Sequence, residues 1–185
     1  MERCLIMDFD DTLVKTIDVH ADSWKHALER VLNREIPIES IHADINYGMD
    51  ILLKKYQLTE KESKLAQRYK KEIFAKNIHK TQVNELLLYI IENNIFERYI
   101  IASNSSRENI DKIMSYHEIN PSMFSMILSR DDVSEKKPHP EMGQIIFEKY
   151  ADIYNKNSDY LMIGDSEVDL TFARKLDIKC IIVNF

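Results

Sequence analysis

Five short runs rich in Ile, Leu and Val recur along the chain: "RCLIMDF" (3–9), "RYIIAS" (98–103), "MFSMILS" (123–129), "DYLMIGD" (159–165) and "KCIIVNF" (179–185). Runs this short, with little polar alternation, read as strands covered on both faces, the setting of a parallel sheet. The segments between the later runs have helical periodicity. "SSRENIDKIMSYH" opens with a Ser105-to-Glu108 capping box and puts Ile110, Ile113 and Met114 on one face. "PHPEMGQIIFEKYADIY" carries Pro near its first turn, and "SEVDLTFARKL" repeats the pattern. Strands that alternate with helices imply an α/β layered fold.

The first interval breaks this rhythm. Roughly ninety residues separate the first run from the second without a convincing strand. Helical patterns fill them: about 17–33, 49–56, 59–78 with a Thr59-to-Glu62 capping box, and 81–94. One crossover helix needs only about a dozen residues. The expectation is therefore a Rossmann-like parallel sheet of about five strands, formed by 1–15 and 81–185, with an inserted all-helical subdomain over 16–80. Tyr47 reads as a packing residue of the insert.

Composition narrows the function classes. The 185 residues are 44% hydrophobic and 30% charged, as in a soluble globular protein. A net charge of −6 argues against a nucleic-acid polymer as partner, because backbone affinity comes from clustered Lys and Arg. It leaves room for a small anionic substrate. Cys4 and Cys180 sit in apolar runs and read as buried strand residues, without metal-ligand spacing or a disulfide framework. No stretch approaches the ~20 apolar residues of a membrane helix, and the start lacks a charged-then-apolar leader. The expectation is a cytoplasmic protein, monomer or weak dimer, without a membrane partner.

In an open parallel sheet, ligands bind beyond the carboxyl ends of the strands. Here those ends carry Asp8 and Asp10, then Ser103 and Asn104, then Gly164 and Asp165 with Asp169 four residues on. Lys136 and Lys137 precede the third helix in "KKPHP". Carboxylates crowded on one rim would protonate unless a cation sits among them. Oxygen-only ligands select a hard divalent ion such as Mg²⁺, which favours a few carboxylates, waters and a substrate phosphate. Lys137 adds a fixed positive charge for the same phosphate. Strand alternation would turn Asp8 and Asp10 to opposite sides, so the chain must leave the strand within "DFD" if both are to face a substrate.

The set Asp8-x-Asp10-x-Thr12, Ser103, Lys137-Pro138 and Gly164-Asp165-x-x-x-Asp169 resembles the haloacid dehalogenase superfamily, with all four motifs in order. The resemblance implies a small phosphorylated metabolite as substrate, of sugar-phosphate, phosphoglycolate or nucleotide type. It makes Asp8 the nucleophile that forms an aspartyl-phosphate and Asp10 the general acid and base. Ser103, with the Asn104 backbone, would hold phosphoryl oxygens, and Lys137 would neutralise them. Mg²⁺ would be bound by Asp8, the Asp10 carbonyl and Asp165, with Asp169 behind them. The insert resembles a helical cap, and Thr16, His20 and Trp24 at four-residue steps resemble the cap entry of the β-phosphoglucomutase and phosphoglycolate phosphatase branch. Four features depart from that pattern, the first being Asp11 in place of the Gly often found after the second Asp. Gly164 stands where the mutase usually has Glu, "NYGMDILL" lacks the cap arginine, and the chain ends on the fifth strand, where relatives often add a closing helix.

Several residues keep two readings. Ser103 and Asn104 also suit the cap of the next helix, and Asp169 suits a first turn for its dipole. Trp24 is either cap core or substrate contact, and His20 either faces substrate or is a satisfied surface histidine. The lysines of "QRYKKEIFAKNIHK" read as a solvated helix face, with contact of one of them to a substrate anion as the alternative. For the whole chain, the alternatives to a phosphatase are a phosphosugar mutase and a non-catalytic binding protein of the same fold.

Overall fold

The computed structural model describes residues 3–45, 49–154 and 157–185; Tyr47 lies outside them. The chain divides into two compact units, Met1–Lys15 with Gln82–Phe185, and Thr16–Thr81.

The first unit is built on a five-stranded parallel sheet. Its strands are β1 (Cys4–Met7), β4 (Arg98–Ala102), β5 (Met126–Leu128), β6 (Tyr160–Gly164) and β7 (Lys179–Ile182), in the order β5-β4-β1-β6-β7. The central strand, β1, pairs Cys4 with both Arg98 and Tyr160, and Met7 with both Ile101 and Ile163. Its four side chains are fully buried, as a doubly covered strand requires. Helices α6 (Arg107–Tyr116), α7 (Glu141–Lys149) and α8 (Glu167–Lys175) connect the later strands. Cys4, Ile6, Ile100, Met142, Ile146, Met162 and Phe172 share one apolar cluster of this unit. The fifth run departs from the expectation. Ile181 and Ile182 of β7 are 49% and 40% exposed, because the strand lies at the sheet edge. Cys180 is correspondingly only half-buried, and both thiols are free.

A two-stranded ribbon was not legible in the sequence: β2 (Val14–Lys15) pairs antiparallel with β3 (Gln82–Val83). It replaces the first turns expected for a helix over 81–94. Asn84 accepts a hydrogen bond from the Leu87 amide, so α5 starts later, at Glu85–Glu92.

The second unit contains α1 (Ile17–Leu32), α2 (Ile38–Ile45), α3 (Met49–Lys55) and α4 (Glu60–Asn77). The Thr59–Glu62 capping box forms as expected. The α2 helix is an addition to the sequence reading. Ala21, Trp24, Leu28, Ile36, Ile41, Leu52, Leu53 and Ala66 form the apolar core of this unit. Among the described residues, no helix is long and apolar enough to cross a membrane.

Candidate active site

The chain leaves β1 immediately after Met7. The Phe9 carbonyl accepts from the Leu13 and Val14 amides, and Asp11 takes a left-handed conformation (φ 55°) that Asp tolerates better than most residues. This turn, with Phe9 fully buried, removes the strand alternation that would have separated Asp8 from Asp10.

Asp8 meets a lysine. Lys137 Nζ lies 2.9 Å from Asp8 Oδ1 and donates to Asp169 Oδ1 at 2.6 Å, with the Lys137 and Asp169 side chains 1% exposed. Asp8 Oδ1 also accepts from the Phe9 amide at 2.8 Å. Asp169 Oδ2 accepts from the Ser166 hydroxyl at 2.8 Å, so it closes the first turn of α8 and anchors Lys137 together. Asp169 thus makes the helix-capping contact and the contact with Lys137 at once. An ideal Cβ at Gly164 would lie 2.4 Å from Asp169 Cβ, so a side chain there needs Asp169 to move.

Asp10 meets two serines. Its Oδ2 accepts from the Ser105 hydroxyl at 2.5 Å and from the Ser103 hydroxyl at 3.5 Å. Ser105 is thus not the cap of α6. That role falls to Ser106, whose hydroxyl accepts from the Asn109 amide. The expected burial of Ile110, Ile113 and Met114 follows all the same. Asn104 is a clamp for its neighbour segment. Its carboxamide donates to the Lys137 carbonyl and accepts from the Lys137 amide, both at 2.9 Å. Whatever Asn104 offers a phosphate thus comes from its backbone, and its side chain fixes Lys137. Thr12 is fully buried, and its carbonyl accepts from Asn84 Nδ2 at 3.1 Å.

Electrostatics make the rim demanding. Carboxylate oxygens of Asp8, Asp165 and Asp169 lie within 4.8 Å of one another. One ammonium among three carboxylates leaves two formal negative charges uncompensated. Burial, aided by Asp169 and Asp10, pushes Asp8 up to about 7 against the pull of Lys137. Burial, then Asp169 and Asp11, pushes Asp165 up to about 6, so Asp11 contributes charge to the site as well as a turn. Burial alone would lower Lys137, but Asp8 and Asp169 together outweigh it and raise the ammonium above its usual value. A clustered, charge-deficient set of carboxylate oxygens fits a hard divalent cation. Both oxygens of Asp169 are engaged, by Lys137 and by Ser166, which sets it apart from Asp8 and Asp165 in this cluster.

The sequence profile of the haloacid dehalogenase-like hydrolases matches residues 5–183. The chain belongs to that family. This haloacid dehalogenase-like hydrolase is 28% identical over 194 residues to the phosphoglycolate phosphatase of Photorhabdus laumondii, covering 97% of this chain and 79% of the relative. It is 25% identical over 198 residues to the bifunctional riboflavin kinase/FMN phosphatase of Arabidopsis thaliana, covering 99% of this chain and 48% of the relative. The chain therefore spans about half the length of the Arabidopsis protein. Among solved structures, CbbY from Rhodobacter sphaeroides in complex with phosphate superposes with a TM-score of 0.80 at 16% identity, covering 100% of this chain and 87% of that one. A hydrolase from Pseudomonas syringae gives 0.75 at 20%, covering 98% and 84%. At these identities the superpositions establish the fold.

In the helical unit of the hydrolase, Trp24 is 6% exposed within the apolar core, the packing side of its two readings. Thr16 is fully buried at the N-terminus of α1. His20 stacks on Phe74 with ring centroids 4.3 Å apart, and its Nδ1 lies 2.8 Å from Lys70 Nζ. An ammonium can only donate, so in this contact Nδ1 is the acceptor. Lys70 is the member of the basic run that this geometry singles out.

Proposed function

We propose that the chain is a Mg²⁺-dependent phosphatase that hydrolyses a small phosphomonoester, of sugar-phosphate, phosphoglycolate or nucleotide type, in the cytoplasm through an aspartyl-phosphate. The observation that carries this reading is the buried Lys137 ammonium shared by Asp8 and Asp169, beside Asp165. The phosphatases among its relatives support it.

Asp8 Oδ1 is held by Lys137 and the Phe9 amide, so Oδ2 is the attacking oxygen. It bonds to phosphorus as the ester P–O bond breaks, and Asp10 delivers a proton to the departing alcohol oxygen. Asp10 then takes a proton from water. The hydroxide attacks phosphorus, the P–O bond to Asp8 breaks, and inorganic phosphate and the Asp8 carboxylate are restored. Ser103 and the Asn104 backbone hold the phosphoryl oxygens, and Lys137 neutralises them. Asp8, Asp165 and the Asp10 carbonyl would hold Mg²⁺, which when bound supplies Lewis-acid neutralisation of phosphoryl charge. The resemblance of the helical unit to a cap supports a role for it in choosing the substrate.

Gly164 disfavours the mutase alternative, because the Glu usual there would drive its Cβ into Asp169. The test is phosphate release with Mg²⁺ from an aryl phosphate and a phosphometabolite panel, by wild type and Asp8→Asn. The expected result is turnover by wild type and loss of at least ~10³-fold in the variant. Equal rates, or a silent wild type across the panel, sink the phosphatase reading, and an isomerised sugar phosphate in place of free phosphate revives the mutase.

A further inference from the structure

Ser105 stands between two structural jobs and performs neither. Ser106 caps α6, and the Arg107 amide next to it is taken by Asp131 Oδ2 at 2.9 Å. The backbone of Ser105 is tied at both ends: its amide donates to Ser103 Oγ at 3.0 Å, and its carbonyl accepts from the Arg130 amide at 3.0 Å. A side chain on so fixed a backbone has little freedom. Its hydroxyl reaches across 95 positions of sequence to Asp10 Oδ2, at the short end of hydroxyl-to-carboxylate distances. Ser103 approaches the same oxygen only at 3.5 Å, the limit of a hydrogen bond, so Ser105 is the nearer of the two serine donors.

We propose that Ser105 is a positioning residue for Asp10, a role that rests on the phosphatase reading. A hydroxyl donor on Oδ2 restrains rotation about the Asp10 Cβ–Cγ bond. The orientation of the carboxyl group is thereby set by the fold before substrate arrives. This orientation matters most when the departing oxygen is a poor leaving group, since an alkoxide must be protonated as it leaves and a nitrophenolate need not be. It matters little for phosphate binding, which falls to Ser103, Lys137 and the metal ligands.

The experiment compares kcat/KM for an alkyl phosphate and for 4-nitrophenyl phosphate in the full chain with Mg²⁺. This parameter reports the steps up to departure of the alcohol. Ser105→Ala and the near-isosteric, weakly donating Ser105→Cys are expected to lower the alkyl value by about 30–100-fold and the nitrophenyl value by less than ~5-fold. Ser105→Thr, which keeps the hydroxyl, is expected to recover most of the alkyl activity. In an Asp10→Asn background, Ser105→Ala is expected to add no further loss, because it acts through the group already removed. An equal drop for both leaving groups, or a full further loss in the Asp10→Asn background, overturns the role of Ser105 while the phosphatase reading survives. A wild type that turns over neither substrate overturns both.

Discussion

Replacing Lys137 by Met tests whether the rim is held by one ammonium. The substitution keeps the length and apolar stem of a side chain that is 1% exposed and removes only the charge. At 2.9 and 2.6 Å, each contact is worth about 6 kcal/mol at an effective dielectric constant of ~20, before desolvation is subtracted. Burying the ammonium offsets much of that, but removing it strands Asp8 and Asp169, and breaking a buried pair in this way costs about 3–5 kcal/mol. The stranded carboxylates can escape by binding protons, which gives the loss a pH signature. Asp8, already pushed up to about 7, and Asp165, at about 6, rise further without the lysine. An acid whose folded pKa is raised favours the folded state below its unfolded value near 4, and that stability is lost as pH rises through the folded value. Urea denaturation in a chelator, at several pH values from 5 to 8, should show Lys137→Met losing about 3–5 kcal/mol at pH 8 and clearly less at pH 5. A loss independent of pH, or below ~1 kcal/mol at pH 8, would refute the charge accounting.

Two further outcomes follow from the same groups. Metal-free wild type should lose stability as pH rises from about 4 to about 7, through the raised Asp8 and Asp165, and added Mg²⁺ should stabilise it more at pH 8 than at pH 5, measured as a shift in urea midpoint. Gly164→Ala should cost about 1–3 kcal/mol by thermal or urea unfolding, because its Cβ would lie 2.4 Å from Asp169 Cβ, and its hydrolysis rate should fall as Asp169 loses its grip on Lys137. An alanine that leaves both unchanged would show that Asp169 shifts freely.

Much of this protein was legible in local pattern. Apolar runs mark the strand segments, so the strands stand where the runs do, although the fifth run leaves Ile181 and Ile182 exposed, and the length of the first interval called for an insert. The carboxylates at the strand ends, Lys137 and the capping box at Thr59 follow from residue type and spacing, which a linear chain displays. The misses share a cause. The ribbon of Val14–Lys15 with Gln82–Val83 is two residues long on each side and joins distant segments, so it leaves no periodic trace. Ser105 and Ser106 are chemically alike, and only the approach of Asp10 from 95 positions away decides which one caps the helix and which one meets the Asp10 carboxyl group. The same holds for Asn104, whose side chain is claimed by the Lys137 backbone, and for Trp24, whose place in the helical core is set by α2, α3 and α4. By itself the sequence determined the layers, the insert and the acidic rim, because burial and charge are written residue by residue. The tertiary structure decided which hydroxyl, amide and ammonium face each carboxylate, because hydrogen bonds are directional and their partners come from separate strands.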